Sequence, residues 1–326
     1  MSELRWEPIK REWIVTATHR MDRTFLPPPE YCPLCPTTPG GFPTEIPRDD
    51  FEIVVFENKF PSFKLPPAEP EVDSLPEHPV LPAKGVCEVV VYTSEHQGGL
   101  ATLSRSQILN LVRVWRDRYE ELGQKQEVEY VLIFENRGEE VGVTLHHPHG
   151  QIYAFPYVPP VPAREFQAAR AHQEETGQCL FCSVVETEAR EQVRVIHAND
   201  SFVAFVPFAA RYAFEVHLYA KRHCLSLAHL TNAEESDLAE MLQTIIRSFD
   251  YLFERPFPYI MVVHQEPVNN GAGLGHLHFE FYPPLRDQGK LKFLAGCEQG
   301  AGTFINDSLP EAKAQQLRDA LAQTFK

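Results

Sequence analysis

The 326-residue chain has no apolar run approaching the roughly 18 residues that a membrane-spanning helix needs. Its opening, MSELRWEPIKREWIVTATHR, is charged and has no apolar signal core. A cytoplasmic protein is expected. Long basic runs are missing too, and the net charge is −15. That balance argues against a nucleic-acid partner and leaves small anionic substrates open, since those need only local donors. Disulfide pairing is equally poorly supported. The seven cysteines are Cys32, Cys35, Cys87, Cys179, Cys182, Cys224 and Cys297, an odd set without a signal segment. Four of them form two C-x-x-C pairs, CPLC and CLFC, a spacing that suggests metal or redox chemistry in a reducing compartment. Cys87, Cys224 and Cys297 have no spacing partner and are expected to be buried apolar thiols.

What the chain does contain is itself, twice. Glu88, Tyr92 and His96 recur as Glu215, Tyr219 and His223, each 127 positions on. Each copy starts as a β-rich run and continues into an amphipathic helix. One helix carries Ile108, Leu111, Val112, Trp115, Tyr119 and Leu122 on a stripe; the other carries Leu238, Met241, Leu242, Ile245, Phe249 and Leu252. Thr231 and Glu234 have capping-box spacing before the second helix. An apolar strand follows each helix (YVLIFEN, YIMVVHQ), then a glycine-containing loop, then a histidine-rich strand (HPHGQIYAFP, HLHFEFYPP). The expected fold class is α+β, with antiparallel sheets flanked by helices, in two halves at 1-160 and 161-326. The segment YVPPVPARE reads as a crossover between the halves, and the proline-rich stretch 65–85 as a long surface loop.

Each half pairs its C-x-x-C with histidines at matching places. Cys32, Cys35, His96 and one histidine of the H-x-H strand make one Cys2His2 set; Cys179, Cys182, His223 and His276 make another. Zinc takes four tetrahedral nitrogen or sulfur ligands, and a C-x-x-C turn supplies two of them. Buried thiol pairs with unrelated histidines are the competing reading. A harder site of Glu165, His264, His278 and Glu280, suited to iron or zinc, is expected to compete for the same space as the second cysteine set.

The stretch LHHPHGQ, residues 145–151, concentrates the chemistry. On a strand, His147, His149 and Gln151 share one face. One histidine can tie the strand to a metal while the next offers a free ring nitrogen, and neutral imidazole is a nucleophile for phosphorus. Gln151 can donate to a phosphoryl oxygen, and Gly150 is expected to let a phosphate or backbone approach. A satisfied core histidine pair beside a metal ligand is the alternative.

The block FENRGEEVGVTLHHPHGQIYAFP resembles the active-site signature of the galactose-1-phosphate uridylyltransferases, a family of the histidine-triad superfamily built from two fused triad-like halves. The resemblance runs from WIVTATHR to FYPPL. It implies that His149 takes the uridylyl group from UDP-glucose and passes it to galactose 1-phosphate in the Leloir galactose pathway. It implies that His147 joins Cys32, Cys35 and His96 on zinc, and that Gln151 steadies the phosphoryl oxygens. Asn136, which matches a phosphate or ribose contact, and Gly142 of the signature are implied substrate-binding residues, as are Arg20, matching an arginine near the diphosphate, and Phe56 and Asn58, matching uridine contacts. A homodimer is implied, with Lys292 and Glu298 completing the partner's site. Zinc, about two per chain, is expected, with iron as the alternative at Glu165, His264 and His278. The chain departs from the family in its second C-x-x-C, in Cys297 where a tyrosine is usual, and near Phe304 where a glutamine is usual. Some plant relatives with two cysteine-type zinc sites act on ADP-glucose, so an ADP-glucose phosphorylase using the same histidine is the second enzymatic reading. A zinc-stabilised nucleotide-binding protein without turnover is the third.

Overall fold

The computed structural model describes residues 2–23 and 25–324. A small antiparallel sheet opens the chain. It is formed by β1 (Ser2–Glu7), β2 (Glu12–Ala17) and, after β3 (Val54–Glu57), β4 (Val80–Pro82). The first half continues with β5 (Val86–Val91), α1 (Arg105–Gly123), β6 (Tyr130–Arg137) and β7 (His149–Phe155). Then come α2 (Pro160–Thr176), α3 (Leu180–Glu191), β8 (Val195–Ala198), β9 (Phe202–Phe205) and β10 (Val216–Ala220). The chain closes with α4 (Asn232–Leu252), β11 (Tyr259–His264), β12 (His278–Tyr282), the short pair β13 (Leu285–Asp287) and β14 (Lys290–Leu291), and α5 (Pro310–Gln323). No helix among the described residues is long and apolar enough to cross a membrane.

The class is α+β, and the two halves share one nine-stranded antiparallel sheet ordered β3-β5-β7-β6-β11-β12-β10-β9-β8. The seam is β6 against β11, from Tyr259 opposite Arg137 to Val263 opposite Ile133. Both predicted helical stripes are buried as read, except that Leu252, at the end of the second, is only half-buried. Each helix starts with a capping box: Thr231 with Glu234 as expected, and Ser104 with Gln107. These side chains occupy backbone N–H groups that a helix start leaves without partners. Helices α1, α4 and α5 cover one face of the sheet in a continuous apolar core that includes Val90, Ile133, Ile152, Val216 and Phe281. Loops of the first half and helices α2 and α3 of the second cover the opposite face. The segment expected as a crossover leads from β7 into α2. Pro160 and Pro162 sit in the first turn of α2, where a missing backbone N–H costs nothing.

The repeat is less regular than its spacing. In the first half Val91 lies opposite His149, while in the second Tyr219 lies opposite His278. A one-residue change of register sends a side chain to the other face of the sheet. Tyr219 therefore stacks on His278, ring centroids 4.5 Å apart and interplanar angle 3°. Tyr92 points the other way, into the core.

Candidate active site and metal centres

His149 begins β7 on the loop-covered face. Its Nδ1 lies 2.7 Å from the carbonyl oxygen of His147, which fixes the N–H on Nδ1 and leaves Nε2 with its lone pair outward. Burial lowers the pKa of the ring and keeps it neutral. Two clefts meet at this histidine. The first, with about 710 Å³ of open space, is lined by Arg20, Phe56, Asn58 and Gln151. Alternation along β7 brings Gln151 to the face of His149, and β3 sets Phe56 opposite Val89, itself opposite Gln151. Asn58 Nδ2 donates to Gln151 Oε1 over 3.4 Å, leaving the Gln151 amide nitrogen as a donor. Arg20 is held by Phe60 O at 2.7 Å and the Tyr153 hydroxyl at 3.3 Å.

The second cleft contains Asn136 beside Arg137, Gln97 and His146. Gly142 lines neither cleft; it ends a short 3-10 turn at φ 79°. Lys292 and Glu298 pair with each other at 3.2 Å in the tail segment, away from His149 within this chain. Sequence reading missed Arg23, Lys59 and Thr144 on the first cleft. It also missed Tyr153, although the i, i+2 step from Gln151 along a strand pointed to it.

Three clusters of ligand-type side chains assemble, each with its ligand atoms within 4.8 Å of one another. In the first, Cys35 Sγ is 3.3 Å from His96 Nδ1 and 3.4 Å from His147 Nδ1, and Cys32 Sγ is 3.9 Å from His147 Nδ1. The opposite nitrogen of His147 is 2.8 Å from Thr93 O, which leaves Nδ1 as the unprotonated, ligating atom. The second repeats this. Cys182 Sγ is 3.7 Å from both His223 Nδ1 and His276 Nδ1, and His276 Nε2 is 2.7 Å from Ala220 O. Burial and the neighbouring sulfur push the Cys35 and Cys182 thiols up to about 12, a cost that a bound cation reverses. Both predicted cysteine sets are thus brought together as clusters that could hold a metal ion.

The third cluster, Glu165, His264, His278 and Glu280, shares no residue with the second. The two were expected to compete for one space; instead His276 serves the cysteines and His278 the carboxylates, the two rings lying side by side on one face against Phe181 and Tyr219. His264 Nδ1 lies 2.9 Å from Glu165 Oε1, yet is buried without a hydrogen bond, because the carboxylate lies off the ring's N–H direction. Burial opposes charge on Glu280, but His217, His264 and His278 outweigh it and hold the carboxyl down to about 2.

Two expectations fail. Cys297 is exposed, on a π-helical turn, not buried like Cys87 and Cys224. Gly150 opens no path for a substrate. The position of its absent Cβ is taken by the Tyr92 hydroxyl, from the core side of the sheet.

Comparison with known proteins places the chain in a family. Residues 1–159 match the family model of the galactose-1-phosphate uridyl transferase N-terminal domain, and residues 164–326 that of its C-terminal domain. The galactose-1-phosphate uridylyltransferase of Thermotoga maritima is 41% identical, with 98% of each chain covered. That of Streptomyces lividans is 38% identical over 98% of this chain and 87% of its own. A solved uridylyltransferase structure superposes with a TM-score of 0.88 at 36% identity, covering 99% of this chain and 100% of that one. With both halves matched and relatives above 30% identity along nearly the whole length, this chain belongs to the galactose-1-phosphate uridylyltransferase family.

Proposed function

We propose that this chain moves a uridylyl group from UDP-glucose to galactose 1-phosphate by way of His149. The observation that carries the reading is the His149 ring itself, tied through Nδ1 to its own strand with Nε2 free where two clefts meet. In the first step Nε2 attacks the α-phosphorus. The P–N bond forms as the P–O bond to the β-phosphate breaks, and glucose 1-phosphate leaves with the electron pair. A phosphate oxygen of galactose 1-phosphate then displaces the imidazole. Gln151 and Arg20 supply donors for the phosphoryl oxygens, and phosphoryl transfer needs such positioning more than a strong base. Phe56 and Asn58 hold the uridine side, and Asn136 reaches the phosphate or ribose from the second cleft.

The two cysteine clusters suit zinc. Tetrahedral bonds of about 2.0–2.3 Å place ligand atoms roughly 3.3–3.8 Å apart, close to the separations observed. Zinc there would fix a C-x-x-C turn to an H-x-H strand in each half. The nitrogen and oxygen donors of the third cluster suit iron or zinc. In this reading, residues 1–160 carry the nucleophile and the first metal, and residues 161–326 the other metals and the sugar-binding segment. The enzyme works as a cytoplasmic homodimer in which the segment with Lys292 and Glu298 completes the partner's site.

The test is the intact mass of the protein after brief exposure to UDP-glucose alone, quenched at alkaline pH to preserve a phosphoramidate. ADP-glucose runs in parallel and His149→Ala is the control. A uridylyl adduct confined to UDP-glucose and absent from the variant is expected. An adenylyl adduct would move the chain to the ADP-glucose reading, and no adduct with either donor would refute the covalent mechanism.

A further inference from the structure

Beneath His149, on the core side of the sheet, lies a buried cluster that belongs to none of the three metal-type clusters. Glu135, on β6, is buried and accepts from the Tyr92 hydroxyl at 3.1 Å and the Tyr259 hydroxyl at 2.9 Å. Tyr92 comes from the end of β5 and Tyr259 from β11, across the seam. A buried carboxyl with two phenol donors is a fixed anchor, since releasing either donor leaves a polar group unsatisfied. Tyr92 also grips the nucleophile strand directly. Its backbone N–H donates to Pro148 O over 3.1 Å. The next carbonyl, Thr93 O, accepts from His147. Its hydroxyl fills the space under Gly150, where a methyl group would collide with it and would lie 3.1 Å from Tyr92 Cζ and from Phe134 O.

We propose that Tyr92, held by Glu135, is a positioning residue for the nucleophile: its hydroxyl bears on Gly150 and sets the height of His149 over the first cleft. The glycine of HPHG is then required by a tyrosine behind the sheet, not by a ligand in front of it. Glu135 in turn links that height to the second half through Tyr259.

The inference rests on His149 being the nucleophile, and the experiment separates the two. The rate of the mass adduct on UDP-glucose is measured in rapid-quench mode for wild type, Gly150→Ala, Tyr92→Phe and the double variant, with metal content determined in parallel. Adduct formation by the wild type tests the nucleophile. Comparison of the variants tests the contact. A displacement near 1 Å can cost up to about a hundredfold in rate, so Gly150→Ala should slow uridylylation by roughly that factor with the KM for UDP-glucose and the metal content retained. In the Tyr92→Phe background the collision with the hydroxyl is gone and the methyl meets only the ring carbon and Phe134 O, each at 3.1 Å, which a shift of a few tenths of an ångström relieves, so the double variant should regain about tenfold or more. A double variant as slow as Gly150→Ala would overturn the proposal. Should Gly150→Ala yield no folded protein, recovery of folded, metal-loaded protein in the double variant reads the same contact, and its failure to recover counts against it.

Discussion

Arg137 and Asp250 strap the two halves together beside the second cleft, and the cost of cutting that strap can be worked out. Arg137 lies on β6 and Asp250 on α4; their side chains meet in a two-pronged contact at 2.8 and 2.9 Å. Asp250 Oδ1 also accepts the Phe257 backbone N–H at 2.8 Å, at the turn leading into β11. Both side chains are largely shielded, at 16% and 22% exposure. Asp250→Ala therefore leaves a mostly buried guanidinium without its partner and an amide N–H without its acceptor, a loss of about 3–5 kcal/mol. An unfolding entropy near 2.1 cal/mol/K per residue amounts to about 0.7 kcal/mol/K for a chain of this size, so the melting temperature should fall by about 4–7 °C. Asp250→Asn keeps an acceptor for Phe257 and one bond to Arg137, and should lose about half as much. Differential scanning calorimetry on the metal-loaded protein reads both. A shift below about 1 °C for Asp250→Ala, or equal shifts for the two variants, would refute the reasoning.

Three further outcomes are expected. Gln151→Ala should lower the rate of uridylylation by about 10²–10³, the scale of losing one donor to a developing anionic oxygen, with the metal content unchanged by elemental analysis. Cys179→Ser/Cys182→Ser should remove about one metal per chain by the same analysis while the first cluster keeps its own; full retention would refute the second cysteine site. Glu135 gives a pH signature. Burial raises its carboxyl to about 7, from an unfolded value near 4.5, although both tyrosines and Arg137 oppose the rise. The folded state therefore holds the proton more tightly, and stability falls as pH rises from 4.5 to 7. Melting temperatures of wild type and Glu135→Gln across that range should show the wild type losing ground toward pH 7, and parallel curves would count against it.

Periodicity and spacing revealed much of this molecule. The two helical stripes, the capping box at Thr231 and the two H-x-H strands are local patterns, set by residues three to four or two positions apart. The cysteine clusters were legible because each recurs with the same partners. Register was not: nothing in the matching tyrosines at 92 and 219 tells that one pairs opposite a histidine and the other points to the core. Gly150 was misread for a related reason. Its constraint comes from a side chain on a neighbouring strand, nearly sixty residues earlier. The third cluster was recognised by composition, but its independence from the cysteine cluster rests on the two-residue step from His276 to His278, which carries one ring to each cluster along the same face. Cys297 was misplaced because its surroundings, a π-helical turn in the tail, carry no periodic signal.

The unbroken sheet also bears on how such a protein can be divided. Cutting between residues 159 and 164, where the two family models meet, would uncover β6 on one fragment and β11 on the other. Each would become a long, apolar edge strand with free backbone donors and acceptors, a template for aggregation. The fragments should therefore be insoluble apart and complement one another when made together, each being the other's missing neighbour.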